Sequence, residues 1–216
     1  MDLIFSEDGN YYFPAQHTAD EDGFLALGGD LSPERLLFAY KNGIFPWYDD
    51  NTPIAWWCLN PRFVLFPSEI KVSKSMKQLF KSNKFDVTYN TCFDNVIENC
   101  SKTTRKDQDG TWIVEDIKKS YQKLFEMGWI ISVEVWNKGN LVGGLYGVKI
   151  GKIFFGESMF AKESNASKYG FISLVKKLES EGIVLIDCQQ ETAHLGSLGA
   201  KLISRDSFLA ILKENV

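Results

Sequence analysis

The fold is decided by residues 129–160, which read WIISVEVWNKGNLVGGLYGVKIGKIFFGESMF. Three segments of this stretch have the apolar pattern of β-strands, with the bounds 129–136, 141–149 and 152–160. The intervening residues NKGN and IG are short enough to be hairpin turns. The three segments are therefore predicted to form an antiparallel meander.

Helical and strand patterns surround this meander. Ser32-Pro33 and Ser73 are typical helix starts, because a serine hydroxyl caps the first free amides and proline tolerates the first helical position. After the meander the pattern predicts a helix over 166–181 and an apolar strand over 183–189, followed by a short helix, a strand and a last helix. This order predicts an α+β fold with a central mixed sheet, as in N-acetyltransferase-like folds.

Composition limits the function classes. The chain has 216 residues, of which 44% are hydrophobic, so one large domain or a domain with a small appendage is expected. No segment reaches the roughly 20 apolar residues of a membrane span, and the start of the chain carries acids where a signal peptide is basic. The four cysteines lack metal-site spacing and are expected to be reduced thiols in the cytoplasm. The net charge of −4 argues against indiscriminate binding of long nucleic acids but allows a local basic patch.

Asp187 and Gln189 stand two residues apart on the predicted strand 183–189. Their side chains should leave the same face about 6.6 Å apart, so that Asp187 accepts a hydrogen bond from the Gln189 amide nitrogen. The Gln189 carbonyl oxygen would then point outward as a polarised acceptor. The alternative is a strand end at which both side chains meet solvent.

Glu157 is expected between Phe155 and Met159 on one strand face. It is either a paired acid that closes a core network or a carboxylate that awaits a cationic ligand.

An apolar stripe on the helix 166–181 consists of Phe171, Leu174 and Leu178. Such a stripe is usually core, but it can also form one wall of an apolar pocket. The other wall would come from neighbouring strands, through Leu145, Phe154 and Ile186.

Two aromatic residues and a set of lysines suggest nucleic-acid contacts. Trp47 and Trp112 lie in segments rich in turn residues, where an indole is either a structural anchor or a platform for a base. A basic stripe follows one predicted helix and the turn after it, with Lys74, Lys77, Lys81 and Lys84. It is either a solvated face or a set of phosphate contacts.

The chain as a whole resembles the leucyl/phenylalanyl-tRNA–protein transferases. The matching segments run in order along most of the sequence: GFLALGGDLS (23–32), GIFPW (43–47), GTWI (110–113), SVE (132–134), VGGLYG (142–147), GESMF (156–160), NASK (165–168), IDCQ (186–189) and SLG (197–199). Each segment alone is weak evidence, whereas the ordered set is specific.

The resemblance implies an enzyme that moves Leu or Phe, less often Met, from its tRNA to proteins that begin with Arg or Lys, which marks them for degradation. It implies a small N-terminal domain, residues 1–62, and an N-acetyltransferase-like domain, residues 63–216. Asp187 and Gln189 would be the catalytic pair, and Glu157 would lie near the reaction centre. Trp47 and Trp112 would hold the terminal adenosine, and the apolar pocket would take the aminoacyl side chain.

The expected partners are the acceptor end of aminoacyl-tRNA and the acceptor protein, and the enzyme is expected to be a cytoplasmic monomer without membrane contact, metal or organic cofactor. Two other interpretations stay open. An acyl-CoA N-acetyltransferase would need a glycine-containing loop before the helix 166–181, and residues 161–165 contain no glycine. A non-catalytic module that binds RNA ends or basic N-termini would need the pocket but not the Asp187–Gln189 pair.

Overall fold

The structure, a computed structural model, describes residues 12–103 and 112–216. The polar stretch 101–110, whose composition predicts a loop, lies largely outside these residues. The helices and strands are, in chain order, β1 (Phe24–Leu27), α1 (Pro33–Lys41), β2 (Phe45–Pro46), β3 (Ala55–Trp57), β4 (Arg62–Leu65), α2 (Lys74–Lys81), β5 (Asp86–Tyr89), α3 (Phe93–Ser101), α4 (Glu115–Glu126), β6 (Ile130–Asn137), β7 (Asn140–Ile150), β8 (Ile153–Ala161), α5 (Ala166–Ser180), β9 (Leu185–Gln189), α6 (Ala193–Gly196), β10 (Lys201–Ile203) and α7 (Arg205–Asn215).

Within the described residues the strands form two sheets. The small sheet has the order β1-β3-β2, and the large sheet has the order β10-β4-β9-β8-β7-β6-β5. Neighbouring strands are antiparallel except for β8 and β9, which are parallel. The predicted α+β class with a central mixed sheet is confirmed. The small sheet was not expected, because its strands are only two to four residues long and lie among turn residues.

Local sequence signals explain most element boundaries. The Ser32 and Ser73 hydroxyls accept hydrogen bonds from the Arg35 and Met76 amides, as N-caps of α1 and α2. The meander β6-β7-β8 is confirmed, with tight turns at both of the predicted positions. Across the described residues, no helix combines the length and the apolarity that a bilayer crossing demands.

The large sheet is covered on both faces, so consecutive strand residues enter different cores. Phe154 and Phe155 are both fully buried. Phe154 belongs to the core formed with α5, and Phe155 belongs to the core formed with α1, α3 and α4. We call these two sides of the sheet the α5 face and the α4 face.

The start of α5 is packed tightly against β7. A Cβ atom at Gly143 would lie only 2.7 Å from the Ala166 Cβ, the first residue of α5. Gly143 is therefore a point of close backbone approach between β7 and α5. It fixes the first turn of α5 beside the strands that carry the site described next.

Candidate active site

The site is a cavity of about 590 Å³ between β8 and β9. These strands pair only from Ile153–Leu185 to Phe155–Asp187 in the described part of the chain. Immediately beyond that pairing, residues 156–161 of β8 and 188–190 at the end of β9 line the cavity. The cavity thus occupies the gap that opens where the two central strands part.

A β-bulge in β8 places Glu157 at the cavity. Tyr146 of β7 pairs with Ser158, whereas the next residue, Gly147, pairs with Gly156. Glu157 is the extra residue of the bulge, and such a residue interrupts the alternation of faces. The expectation that Glu157 shares one strand face with Phe155 and Met159 is therefore wrong, because Met159 packs toward the α5 face and Phe155 toward the α4 face.

The Glu157 carboxylate accepts three hydrogen bonds. The Tyr40 hydroxyl donates to Oε1 at 2.8 Å, and the Tyr121 hydroxyl donates to Oε2 at 3.1 Å. The Gln189 Nε2 donates to Oε1 at 3.1 Å. The two tyrosine oxygens also lie within hydrogen-bond distance of each other. Each hydroxyl has a single proton, so the tyrosines can donate in only two of these three contacts at a time, and a protonated Glu157 supplies the third proton. Sequence reasoning missed both tyrosines, because each occupies the buried face of an amphipathic helix, where a tyrosine is normally core.

Burial alters the protonation of this network. It raises the pKa of Glu157 from 4.5 to about 7, although the hydrogen bonds from Tyr40 and Tyr121 act in the opposite direction. Burial and the charge of Glu157 raise the pKa values of Tyr40 and Tyr121 well above 10, so both hydroxyls keep their protons. Near pH 7, Glu157 is therefore an acid that changes its charge readily while its tyrosine donors do not.

The hydrogen bond to Glu157 sets the orientation of the Gln189 amide. When Glu157 is ionised it can only accept hydrogen bonds, so in that state the amide nitrogen faces it. The Gln189 Oε1 then has no hydrogen-bond partner within residues 12–103 and 112–216, and Gln189 borders the cavity. The backbone of Gln189 is left-handed, with φ of 60°. Such a conformation is uncommon outside glycine and holds the side chain off the regular alternation of the strand.

Asp187 lies behind Gln189 and is fully buried. Its carboxylate forms a bidentate ion pair with Arg62 at 2.8 and 2.7 Å and accepts a hydrogen bond from the Gln189 backbone amide at 2.9 Å. The Arg62 guanidinium lies 4.7 Å from the ring centres of both Phe45 and Phe208.

The expected contact between the Asp187 carboxylate and the Gln189 side-chain amide is therefore wrong. The Asp187 side chain lies on the α4 face, where it pairs with Arg62. The left-handed backbone of Gln189 directs the Gln189 side-chain amide to Glu157 instead. Asp187 does not border the cavity. Arg62 was missed because 125 residues separate it from Asp187 in sequence.

The cavity has an apolar side and an aromatic side. The apolar side, toward the α5 face, contains four of the predicted residues: Leu145, Phe154, Phe171 and Ile186. The aromatic side contains both predicted indoles, Trp47 and Trp112. Trp47 also accepts a hydrogen bond through its backbone carbonyl from the Trp57 indole at 2.7 Å.

Leu174 and Leu178 do not line the cavity, so that part of the prediction is wrong. Both are fully buried between α5 and the sheet. Ser167 and Phe171 are the α5 residues that reach the cavity. With a rise of about 1.5 Å per residue, Leu174 and Leu178 lie about 4.5 and 10 Å farther along the helix axis.

The four predicted lysines lie outside the cavity, and all are exposed. Lys74, Lys77 and Lys81 belong to α2 and make no ion pair with any described residue, whereas Lys84 pairs with Glu163 at 2.8 Å. Helix α2 packs against the first turns of α5, since the rings of Phe80 and Tyr169 stack 3.9 Å apart. The α2 surface is therefore adjacent to the helix end that borders the cavity.

Among the described residues, no three His, Cys, Asp or Glu side chains are grouped so that they could hold a metal ion.

Comparison with known proteins identifies the family. The family model described as leucyl/phenylalanyl-tRNA protein transferase matches residues 64–213, and the model of its N-terminal domain matches residues 29–60. A leucyl/phenylalanyl-tRNA–protein transferase from Christiangramia forsetii is 55% identical over 93% of this chain and 95% of its own length. One from Syntrophobacter fumaroxidans is 50% identical over 99% of this chain and 91% of its own length.

Some solved structures are similar at much lower sequence identity. A GCN5-related N-acetyltransferase-like protein from Streptococcus suis is 14% identical, with a TM-score of 0.39 over 79% of this chain and 64% of its own. The family assignment comes from the sequence matches, which cover most of the chain. The chain belongs to the leucyl/phenylalanyl-tRNA–protein transferase family and is an aminoacyltransferase.

Proposed function

We propose that this protein transfers Leu or Phe, and less often Met, from aminoacyl-tRNA to the α-amino group of proteins that begin with Arg or Lys, which marks them for degradation. The observation that carries the proposal is the hydrogen bond between Glu157 and the Gln189 side chain, at a cavity with one apolar and one aromatic side. We propose further that residues 1–62 and 63–216 are its two domains and that it acts as a cytoplasmic monomer.

The reaction is the aminolysis of an ester. The nitrogen of the acceptor attacks the acyl carbon, an amide C–N bond forms, and the bond from that carbon to the ribose oxygen breaks. The proton that leaves the nitrogen ends on the ribose oxygen. An α-amino group has a pKa of about 7.7 to 8.0, so a useful fraction is already neutral near pH 7 and no strong base is needed.

Gln189 would supply the main electrostatic contribution. Positive charge grows on the attacking nitrogen as the tetrahedral intermediate forms. The Gln189 Oε1, held with its dipole fixed by Glu157, would accept a hydrogen bond from that nitrogen. Because the dipole is oriented before the reaction, it stabilises the transition state more than the ground state.

Asp187 would act through the backbone rather than through the side chain of Gln189. Its carboxylate holds the Gln189 amide N–H while Arg62 holds the carboxylate. This arrangement supports the left-handed backbone of Gln189. We therefore propose Asp187 and Arg62 as positioning residues and Gln189 as the residue that contacts the reacting nitrogen.

Glu157 would also attract the cationic side chain of the acceptor. Its pKa of about 7 means that it is only partly ionised at neutral pH when the cavity is empty. A cation bound nearby favours the ionised form. The acceptor would therefore complete the charge distribution of the site when it binds.

The two sides of the cavity would bind different parts of the aminoacyl-tRNA, the aminoacyl side chain on the apolar side and the terminal adenosine on the aromatic side. The apolar side, with Leu145, Phe154, Phe171 and Ile186, suits a Leu or Phe side chain and imposes no hydrogen-bond requirement. Such a surface discriminates by only about 1–3 kcal/mol per methylene, so some transfer of Met is expected. Trp47 and Trp112 would stack on the terminal adenosine. The exposed lysines Lys74, Lys77, Lys81 and Lys84 would contact phosphates of the acceptor stem.

The test uses Leu-tRNA with a radiolabelled leucine and a reporter protein that begins with Arg. We expect label on the reporter, and no label on the same reporter with an acetylated N-terminus. Gln189→Met keeps the length of the side chain but removes the acceptor oxygen, so kcat should fall about 100-fold. Gln122→Met, at a partly buried position outside the cavity, is the matched control. Absence of label with the free N-terminus would refute the proposal.

A further inference from the structure

One polar atom of the cavity has no role in the mechanism above. His194 borders the cavity, and its Nε2 is buried. Within residues 12–103 and 112–216 no group lies at hydrogen-bond distance from that nitrogen. His194 belongs to α6, which begins four residues after Gln189. The same short segment therefore contains Gln189, which we propose contacts the acceptor protein, and the unpaired Nε2 of His194.

An unpaired buried nitrogen is costly, by about 1–3 kcal/mol, and such atoms in native proteins usually have a partner. The ring is also mainly uncharged near neutral pH, because burial and the neighbouring charge of Lys168 lower its pKa below 6.5. A neutral imidazole that keeps its proton on Nδ1 offers a lone pair at Nε2. The missing partner is then a donor that enters the cavity.

The position of His194 narrows the identity of that donor. Leu195 and Leu198, at and just after the end of α6, belong to the core that also contains Phe154, Phe171 and Ile186. His194 therefore borders the apolar side of the cavity. The indoles of Trp47 and Trp112 belong to the other core, across the sheet. A group that meets Nε2 would thus lie beside the apolar side, where we propose that the aminoacyl side chain binds.

The aminoacyl ester itself contains a hydrogen-bond donor that can occupy this position. The α-carbon of an aminoacyl ester carries the side chain, the acyl carbon and an amino group. When the side chain lies against the apolar side and the acyl carbon faces Gln189, the amino group is only two bonds from each of them and therefore lies in the same part of the cavity. On the basis of the proposed function, we propose that Nε2 of His194 accepts a hydrogen bond from the α-amino group of the aminoacyl donor. The positive charge of Lys168 favours the neutral amine over the ammonium form at this point.

Nuclear magnetic resonance can test the contact directly, because the chain has only two histidines. The imidazole nitrogens of His194 and of the exposed His17 give separate signals, so His17 is an internal control. Puromycin, an aminoacyl-nucleoside analogue with a free α-amino group, should shift the Nε2 signal of His194. N-acetylpuromycin, which lacks the basic amine, should leave it much less changed. Equal shifts with the two compounds, or no shift at saturation, would overturn the proposal.

Kinetics provide the second readout. Leu-tRNA and isocaproyl-tRNA have the same side chain, but only the first has the α-amino group. His194→Ala should lower kcat/KM for Leu-tRNA by about 5- to 10-fold, the value of one hydrogen bond, and leave isocaproyl-tRNA unchanged. His194→Gln, whose amide oxygen can reach a similar position, should recover part of the loss. Equal loss with both substrates indicates a structural role and overturns the proposal, as does no loss with either.

The two failures are distinguishable. If wild-type protein forms no labelled product from Leu-tRNA, the proposed function fails. If it forms product but His194 shows neither the shift nor the selective loss, only the proposal for His194 fails.

Discussion

Replacing Glu157 with Gln should remove a specific pH dependence from the stability of this protein. The carboxyl has a pKa of 4.5 when exposed and about 7 in the folded protein, chiefly because of burial. Between these values the folded state keeps a proton that the unfolded state has released. The free energy of unfolding must therefore fall as the pH rises from about 4.5 to 7, and level off above that.

The magnitude follows from the same two values. A difference of one pH unit corresponds to about 1.4 kcal/mol, so complete titration of Glu157 would cost about 3 kcal/mol. Because the side chain borders the cavity and is only partly buried, we expect about 2 kcal/mol between pH 5 and pH 8. Glu157→Gln has no such titration, and its free energy of unfolding relative to wild type should rise by that amount over this interval.

The assay is urea unfolding, followed by tryptophan fluorescence, at several pH values for both proteins. Titrations of all other groups are common to both and cancel in the difference. Glu163→Gln is the matched control. Lys84 and Asn137 hold the pKa of this partly exposed carboxyl below 4.5, so its difference from wild type should be flat above pH 5. A flat difference for Glu157→Gln as well would refute the reasoning about burial.

Three further predictions concern the groups around this carboxyl and the proposed tRNA-binding surface on α2. Arg62→Met should destabilise the protein by about 3–5 kcal/mol in urea unfolding, whereas adding Asp187→Leu should recover much of the loss, because the cost is that of an unpaired buried charge; additive losses would contradict this. Tyr40→Phe removes a hydrogen-bond donor that lowers the pKa of Glu157. The rise of kcat/KM with pH, measured with an acceptor that begins with Arg, should therefore shift to higher pH by about one unit. An unshifted profile would count against the hydrogen bond from Tyr40 to Glu157. Lys77→Glu with Lys81→Glu should weaken tRNA binding and make its salt dependence shallower by about 2 in the log–log slope; an unchanged slope would remove α2 from the tRNA surface.

Regular features of the fold could be predicted from sequence because their signals are local. The alternation in 129–160 and the two short turns specify the meander without reference to distant residues. Ser32 and Ser73 mark helix starts for the same reason. The apolar strand that ends at Gln189 has both faces covered, as its composition indicated.

The geometry of the site was less predictable, because it depends on irregularities and distant pairs. No sequence pattern around Glu157 predicts a bulge, and none at Gln189 predicts a left-handed backbone. Without these two features, strict alternation gives the wrong partner for the Gln189 amide. The pairing of Asp187 with Arg62 joins two residues far apart in sequence, and only the order of the strands, with β4 beside β9, brings them together.

The parting of β8 and β9 gives the large sheet an internal edge. Beyond Phe155 and Asp187, main-chain amide and carbonyl groups in the middle of the sheet face a gap rather than a neighbouring strand. If β8 and β9 continued to pair beyond these residues, their hydrogen bonds would close the gap. The bulge at Glu157 and the left-handed turn at Gln189 both work against that continuation. Irregularities that weaken the sheet as a structure thus keep its centre accessible to a substrate.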